Sequence, residues 1–128
     1  VCKGLHGHRY KAEITVEGDL VSASSESEFG MVMDFADIKK IAKQEIHEKL
    51  DHGFMVWDKD DELINFFKNS NGHKMVKVSF TSTAENVAKY IYEKVSEKLT
   101  DNYGTGLKLS SVKLWETPTS YAFYEGKQ

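Results

Sequence analysis

The order of predicted elements places this chain in the α+β class, with two helices packed on one face of an antiparallel sheet. Residues 9–19 alternate apolar and polar side chains, as a half-buried strand does. Two long segments carry apolar residues at helical spacing, and two further apolar runs end the chain. Strands, helix, strand, helix and strands in this order are typical of helices that cover one face of an antiparallel sheet.

The first half of the chain predicts a strand, a loop, a short strand and a helix. The buried face of the first strand carries Tyr10, Ala12, Ile14 and Val16. Residues 18–30 are polar and rich in serine, which predicts a loop, and residues 31–33 predict a short apolar strand. Asp34 can cap a helix over residues 35–50. The apolar stripe of this helix comprises Phe35, Ile38, Ile41, Ala42, Ile46 and Leu50.

The second half predicts two helices and three strands. A short helix is expected over residues 60–68, a turn over residues 69–72 and a strand over residues 73–81. Ser82 and Glu85 have the spacing of a capping box and therefore predict the start of a long helix. The stripe of that helix comprises Ala84, Val87, Ala88, Ile91, Val95 and Leu99. Apolar residues over 107–114, then Tyr121 and Phe123, predict two final strands.

Composition predicts one cytoplasmic domain. The chain has 128 residues, which is enough for one core and too few to expect two domains. Its net charge of −3, without a basic stripe, argues against a nucleic-acid partner. The sequence contains neither an apolar run long enough to cross a bilayer nor a secretory signal pattern, so no membrane partner is expected. The single cysteine excludes an internal disulfide and agrees with a reducing compartment.

The run Cys2-Lys-Gly-Leu-His6-Gly-His8 predicts half of a zinc site. In an extended strand, His6 and His8 project from the same face about 7 Å apart, which lets two imidazoles share one metal ion. The Cys2 thiol is then either a further ligand or a general base beside the metal. The alternatives are that the histidines are ordinary polar strand residues and that the cysteine is a small buried side chain.

Five motifs together carry a family resemblance that spans nearly the whole chain. They are the Cys2-x-x-x-His6-Gly-His8 opening, Gly30-Met-Val-Met-Asp34-Phe, Leu50-Asp51-His52, Thr83-Ala-Glu85-Asn86 and Glu116-Thr117. Their order resembles the 6-pyruvoyl-tetrahydropterin synthase family. Cys2 stands four positions before His6, a spacing more similar to the bacterial 6-carboxytetrahydropterin synthase branch, which implies a place in queuosine biosynthesis.

The resemblance implies a tunnelling fold (T-fold) and a zinc-dependent lyase. Trimers would pool their antiparallel sheets into a barrel, and two trimers would stack into a homohexamer with active sites at subunit boundaries. The implied substrate is the pterin 7,8-dihydroneopterin triphosphate, which is converted to 6-carboxytetrahydropterin with release of acetaldehyde and triphosphate. The implied zinc ligands are His6, His8 and a histidine on a first strand that precedes Val1, so residues 1–128 form a single domain that lacks the family's first strand. His47 and His73 are interpreted as surface histidines.

The resemblance also implies three catalytic residues. Cys2 would remove a proton from the pterin side chain, and Asp51 with His52 would relay protons to it across a subunit boundary. A carboxylate that holds an imidazole raises its basicity and fixes its tautomer, which suits such a relay. The alternative for Asp51 and His52 is that they simply end the first helix, where a histidine complements the helix dipole.

Two glutamates are implied as substrate-binding residues. The two oxygens of Glu116 suit the adjacent amino and ring N–H donors of a pterin, although a glutamate near a strand end is normally just exposed. Glu85 either faces the pterin or only closes the capping box with Ser82.

Two other functions remain open at the level of the sequence. The same groups could stop after triphosphate elimination and give a 6-pyruvoyl product, or the chain could bind a pterin or a metal without turnover, because fold does not establish function. The segment between Asp51 and Glu85 is longer than the family pattern leads us to expect. We therefore expect a different pocket rim.

Overall fold

A computed structural model describes residues 9–18, 33, 35–70, 72–104 and 106–126. Within these ranges the main sheet has three strands in the order β1 (Lys11–Gly18), β4 (Leu107–Thr117) and β5 (Ser120–Glu125). Both pairings are antiparallel, with Ile14 opposite Val112 in the first. The predicted antiparallel sheet and its three strands are therefore confirmed.

The core lies between this sheet and the helix α4 (Ala84–Tyr103). The apolar stripe predicted for α4 is confirmed, because its members from Val87 to Leu99 are buried. They pack against inward-facing residues of the central strand, chiefly Leu109, Val112 and Leu114. The burial of these side chains is the main favourable term that holds the helix on the sheet.

The start of α4 differs from the predicted capping box of Ser82 and Glu85. The N-cap is Thr83, whose side-chain oxygen accepts a hydrogen bond from the backbone N–H of Asn86 at 3.2 Å. The Asn86 side-chain amide in turn donates to the Thr81 carbonyl at 3.0 Å. The helix begins one residue later than predicted, so its N-cap is Thr83 rather than Ser82. The third helical position is then Asn86 rather than Glu85, and the capping box does not form.

The predicted helix over residues 35–50 is confirmed, and it contains a π-helical turn. It consists of α1 (Phe35–Ala42), a π-helical segment (Lys43–His47) and α2 (Glu48–Leu50). Ile41 is buried in the core against α4. Phe35, expected on the same stripe, is 80% exposed, because the apolar face turns toward the core only from Ile38 onward. The predicted cap at Asp34, the loop over residues 19–30, and Met31 and Val32 of the predicted strand lie outside the described residues.

The segment after the first helix forms a small βαβ unit with its own core. β2 (Gly53–Trp57) pairs in parallel with β3 (Lys74–Val78), and α3 (Asp61–Lys68) connects them. The sequence prediction contained α3 and β3 but missed β2. Asp60 caps α3 by accepting from the Leu63 N–H at 3.2 Å. The second core comprises Val56, Ile64 and Phe67, with Phe54, Leu63 and Met75 packed against it.

The last strand buries Ala122 between two exposed aromatic residues. The predicted strand is confirmed, and within it Tyr121 and Phe123 are each 52% exposed, whereas Ala122 is buried. The register explains this, because Ala122 lies opposite the buried Leu114 and alternation then points its two neighbours away from the core.

In the described part of the chain, none of the helices combines the length and apolar character that crossing a membrane requires.

Candidate active site

Asp51 and His52 lie in contact where the first helix ends. The helix stops at Leu50, and Asp51 takes an extended backbone conformation. His52 Nδ1 lies 3.0 Å from Asp51 Oδ2, and the imidazole is 91% exposed. Nδ1 of the imidazole faces the carboxylate, and its other nitrogen, Nε2, is not part of this contact. The role of the pair as a proton relay stays a prediction. The structure therefore brings together the two residues that the sequence predicted as a relay.

The backbone of His52 lies in the left-handed region, with φ of 57°. This conformation costs a non-glycine residue about 1–2 kcal/mol, and strained residues concentrate at functional sites. It turns the chain from the helix into β2 within two residues. Asp51 and His52 thus end the first helix, as the alternative interpretation held, and His52 lies just past the last helical turn rather than within it.

His47 is a second imidazole beside the same carboxylate. Its Nε2 lies 3.6 Å from Asp51 Oδ2, and its side chain is 65% exposed. The prediction that His47 is a surface histidine is confirmed, but its contact with Asp51 was missed. The spacing of four residues could have indicated it, because positions i and i+4 share a helix face. His73 is exposed and contacts the rings of Phe54 and Phe67.

Glu116 lies at an irregularity of the main sheet. Trp115 pairs with Tyr121 and Thr117 with Ser120, which leaves Glu116 as the extra residue of a bulge. Bulges re-aim a side chain and are common beside active sites. Across the sheet, burial and the Glu116 carboxylate raise the pKa of Tyr10, so this phenol stays protonated and can donate a hydrogen bond. The proximity of Tyr10 was missed because only the strand register indicates it.

Glu85 lies in the first turn of α4 and is exposed. Because Thr83 caps this helix, the alternative that Glu85 serves only the capping box with Ser82 is wrong. A carboxylate in the first turn is favoured by the helix dipole and is accessible to a ligand. Its contact with a pterin stays a prediction.

Cys2, His6 and His8 lie outside the described residues, so their roles stay predictions. Among the residues that the structure does describe, no group of three or more His, Cys, Asp or Glu side chains has the arrangement of a metal site.

Comparison with known proteins agrees with the motifs. The model of the 6-pyruvoyl tetrahydropterin synthase family matches residues 1–127. A 6-carboxy-5,6,7,8-tetrahydropterin synthase of Haemophilus influenzae is 33% identical over 127 residues, which cover 97% of this chain and 84% of the relative. A 6-carboxy-5,6,7,8-tetrahydropterin synthase of Aquifex aeolicus is 38% identical over 128 residues, which cover 97% of this chain and 75% of the relative.

The fold agrees with that of solved relatives. The crystal structure of 6-pyruvoyl tetrahydropterin synthase from Plasmodium vivax superposes with a TM-score of 0.73 at 20% identity, over 98% of this chain and 83% of that chain. This likeness confirms the predicted α+β tunnelling fold. With a family model that matches almost every residue and relatives above 30% identity, the chain belongs to the 6-pyruvoyl tetrahydropterin synthase family.

Proposed function

We propose that this protein is a 6-carboxy-5,6,7,8-tetrahydropterin synthase that acts on 7,8-dihydroneopterin triphosphate and releases acetaldehyde and triphosphate. The observation that carries the proposal is the 3.0 Å contact between Asp51 and His52, in a chain whose bacterial relatives bear that enzyme's name. We further propose that the reaction serves queuosine biosynthesis in the cytoplasm.

The proton transfers are assigned to Cys2, Asp51 and His52. The Cys2 thiolate removes a proton from the pterin side chain. His52 accepts or returns protons through Nε2, and Asp51 holds Nδ1–H so that one tautomer is maintained. The exposure of His52 supports a role at a subunit boundary. If residues of a second subunit complete the site, the imidazole is exposed in one subunit alone. The functional form is proposed to be a homohexamer made of two trimers.

Recognition of the ring is assigned to Glu116 and Glu85. Glu116 offers two carboxylate oxygens to the amino and ring N–H groups of a pterin. The protonated Tyr10 beside it is suited to donate to a ring oxygen or to orient the carboxylate. Glu85 offers a second carboxylate from the exposed start of α4.

His6 and His8 are proposed to hold zinc together with a further ligand. Two imidazoles on one face of a strand have the donor chemistry that zinc prefers. When bound, the ion supplies Lewis-acid stabilisation for negative charge on the side-chain oxygens of the substrate.

The proposal is tested by incubating zinc-loaded protein that carries its native N-terminus with 7,8-dihydroneopterin triphosphate. We expect acetaldehyde, triphosphate and 6-carboxytetrahydropterin in equal amounts. Cys2→Ala should abolish all three products. Production by Cys2→Ala at the wild-type rate would refute the assignment of the thiol, and binding without any product would favour a noncatalytic pterin-binding protein.

A second candidate is the 6-pyruvoyl product, which the names of the family model and of the Plasmodium vivax structure favour. The same residues could release triphosphate and stop before carbon–carbon cleavage. Triphosphate without acetaldehyde would establish this alternative.

A further inference from the structure

Lys74 connects the small βαβ unit to the turn that carries Asp51 and His52. Its Nζ donates to the backbone carbonyl of Glu48 at 2.8 Å and to that of Asp51 at 3.2 Å. Carbonyls at the end of a helix lack partners within the helix and form the negative end of its dipole. An ammonium group there satisfies two of them and is favoured electrostatically.

Gly53 makes this contact possible. It is the partner of Lys74 in the parallel pair, so the two residues start their strands side by side. A Cβ atom at position 53 would lie 2.9 Å from Val76 Cγ2, 3.1 Å from the Leu50 carbonyl oxygen and 3.5 Å from Lys74 Cδ. The absence of a side chain therefore lets the aliphatic part of Lys74 pass close to the turn and reach the end of the helix.

We propose that Lys74 is a positioning residue for the Asp51–His52 pair, an inference that rests on the proposed function. Asp51 contributes both the carbonyl that Lys74 binds and the carboxylate that lies 3.0 Å from His52. Lys74 therefore fixes the backbone from which the proposed relay projects, and it acts through the two carbonyls that its ammonium group binds. The segment after His52 thus contributes a support for the turn that carries the pair.

The test uses Lys74→Met, which keeps most of the aliphatic chain and removes the ammonium group. Lys77→Met is the matched control, because Lys77 is an exposed lysine of the same strand. Lys74→Arg is the rescue variant, since a guanidinium also donates to two oxygens. The first readout is amide hydrogen exchange at Asp51, whose N–H donates to the His47 carbonyl at 2.8 Å. The second readout is steady-state turnover.

We expect Lys74→Met to speed exchange at Asp51 about tenfold or more and to lower kcat about 10- to 100-fold, because small displacements of catalytic groups have effects of that size. KM should change less than about twofold, because a positioning residue acts on the Asp51–His52 pair and not on the substrate. Lys74→Arg should restore both properties, and Lys77→Met should alter neither. Unchanged exchange across α4 shows that the variants are folded.

Equal exchange at Asp51 in Lys74→Met and Lys77→Met would overturn the proposal. A loss of turnover without faster exchange would also overturn it, because Lys74 would then act on the substrate directly. If the wild-type protein shows no turnover, the proposed function fails, and exchange at Asp51 still decides whether Lys74 fixes the turn.

Discussion

Tyr10 and Glu116 interact across the β1–β4 pair, where burial and the Glu116 charge raise the pKa of the Tyr10 phenol. We predict that Glu116→Gln lowers the pKa of Tyr10 toward its ordinary value, because the charge that opposes phenolate formation is lost. Titration of 13C-labelled tyrosine followed by NMR measures this. The pKa of Tyr92, which is raised by burial and then by Tyr124 and Glu17, serves as the internal control.

The pKa of Tyr92 separates loss of the Glu116 charge from a wider change in the sheet. An unchanged pKa of Tyr10 in Glu116→Gln would mean that burial alone accounts for the shift. A lowered pKa of both tyrosines would indicate a general loosening of the sheet rather than the loss of one charge.

We predict that Asp51→Asn lowers kcat about 10²- to 10⁴-fold, because an amide does not enforce the tautomer of His52 that a carboxylate does. The rate of acetaldehyde release measures it. His73→Gln is the control, since His73 is an imidazole of the βαβ unit with no part in the relay. An Asp51→Asn variant with more than half of the wild-type rate would contradict the relay.

We predict that Thr83→Ala reduces the free energy of unfolding by about 1 kcal/mol, the usual loss when a side-chain cap is removed. The reason is the Thr83 hydrogen bond to the Asn86 N–H at 3.2 Å. Urea unfolding at fixed protein concentration measures the change. Ser82→Ala should have almost no effect on the free energy of unfolding. A larger loss in Ser82→Ala than in Thr83→Ala would instead support the capping box of Ser82 and Glu85.

We predict that Glu45 stabilises the protein in a pH-dependent way. The hydrogen bond from Lys49, at 2.8 Å, lowers the pKa of Glu45, and the same bond raises the pKa of Lys49. The contribution of Glu45 is therefore complete above the ordinary glutamate pKa and is lost as the pH falls through its lowered value. We expect Glu45→Gln to cost about 0.5 kcal/mol at pH 7.

Urea unfolding of Glu45→Gln at several pH values measures this effect. The difference from the wild type should shrink as the solution is acidified below the ordinary glutamate pKa. Glu48→Gln, a matched change at an exposed position of the next turn, is the control for the loss of a surface carboxylate. A constant difference for Glu45→Gln at all pH values would show that packing, and not the ion pair, is responsible.

The parts of the fold that were predicted correctly are those with long periodic patterns. The stripe of α4 repeats over about four turns, so its buried face is visible from spacing alone. β2 was missed because Gly53–Trp57 is a short apolar run without alternation, and its parallel partner begins at Lys74, far along the chain. Phe35 was misassigned because the periodicity does not show where along the helix contact with the core begins.

The site was predictable where its residues are neighbours in sequence. Asp51 and His52 are adjacent, so their pairing required only the chain itself. The interaction of Tyr10 with Glu116 depends on the register of two distant strands, and the contacts of Lys74 depend on a sheet that was not predicted. Such long-range relationships are set by tertiary packing, which local patterns do not encode.

The two clusters of buried apolar residues share no member. Met55 of β2 nevertheless packs against the main cluster, so opening of the βαβ unit as a cooperative block would remove this one side chain from the main core while the three-stranded sheet keeps its protection. Each such opening would release the turn that ends the first helix. The fraction of molecules with an intact turn would therefore depend on the free energy with which Val56, Ile64 and Phe67 pack together, rather than on the melting temperature of the whole protein.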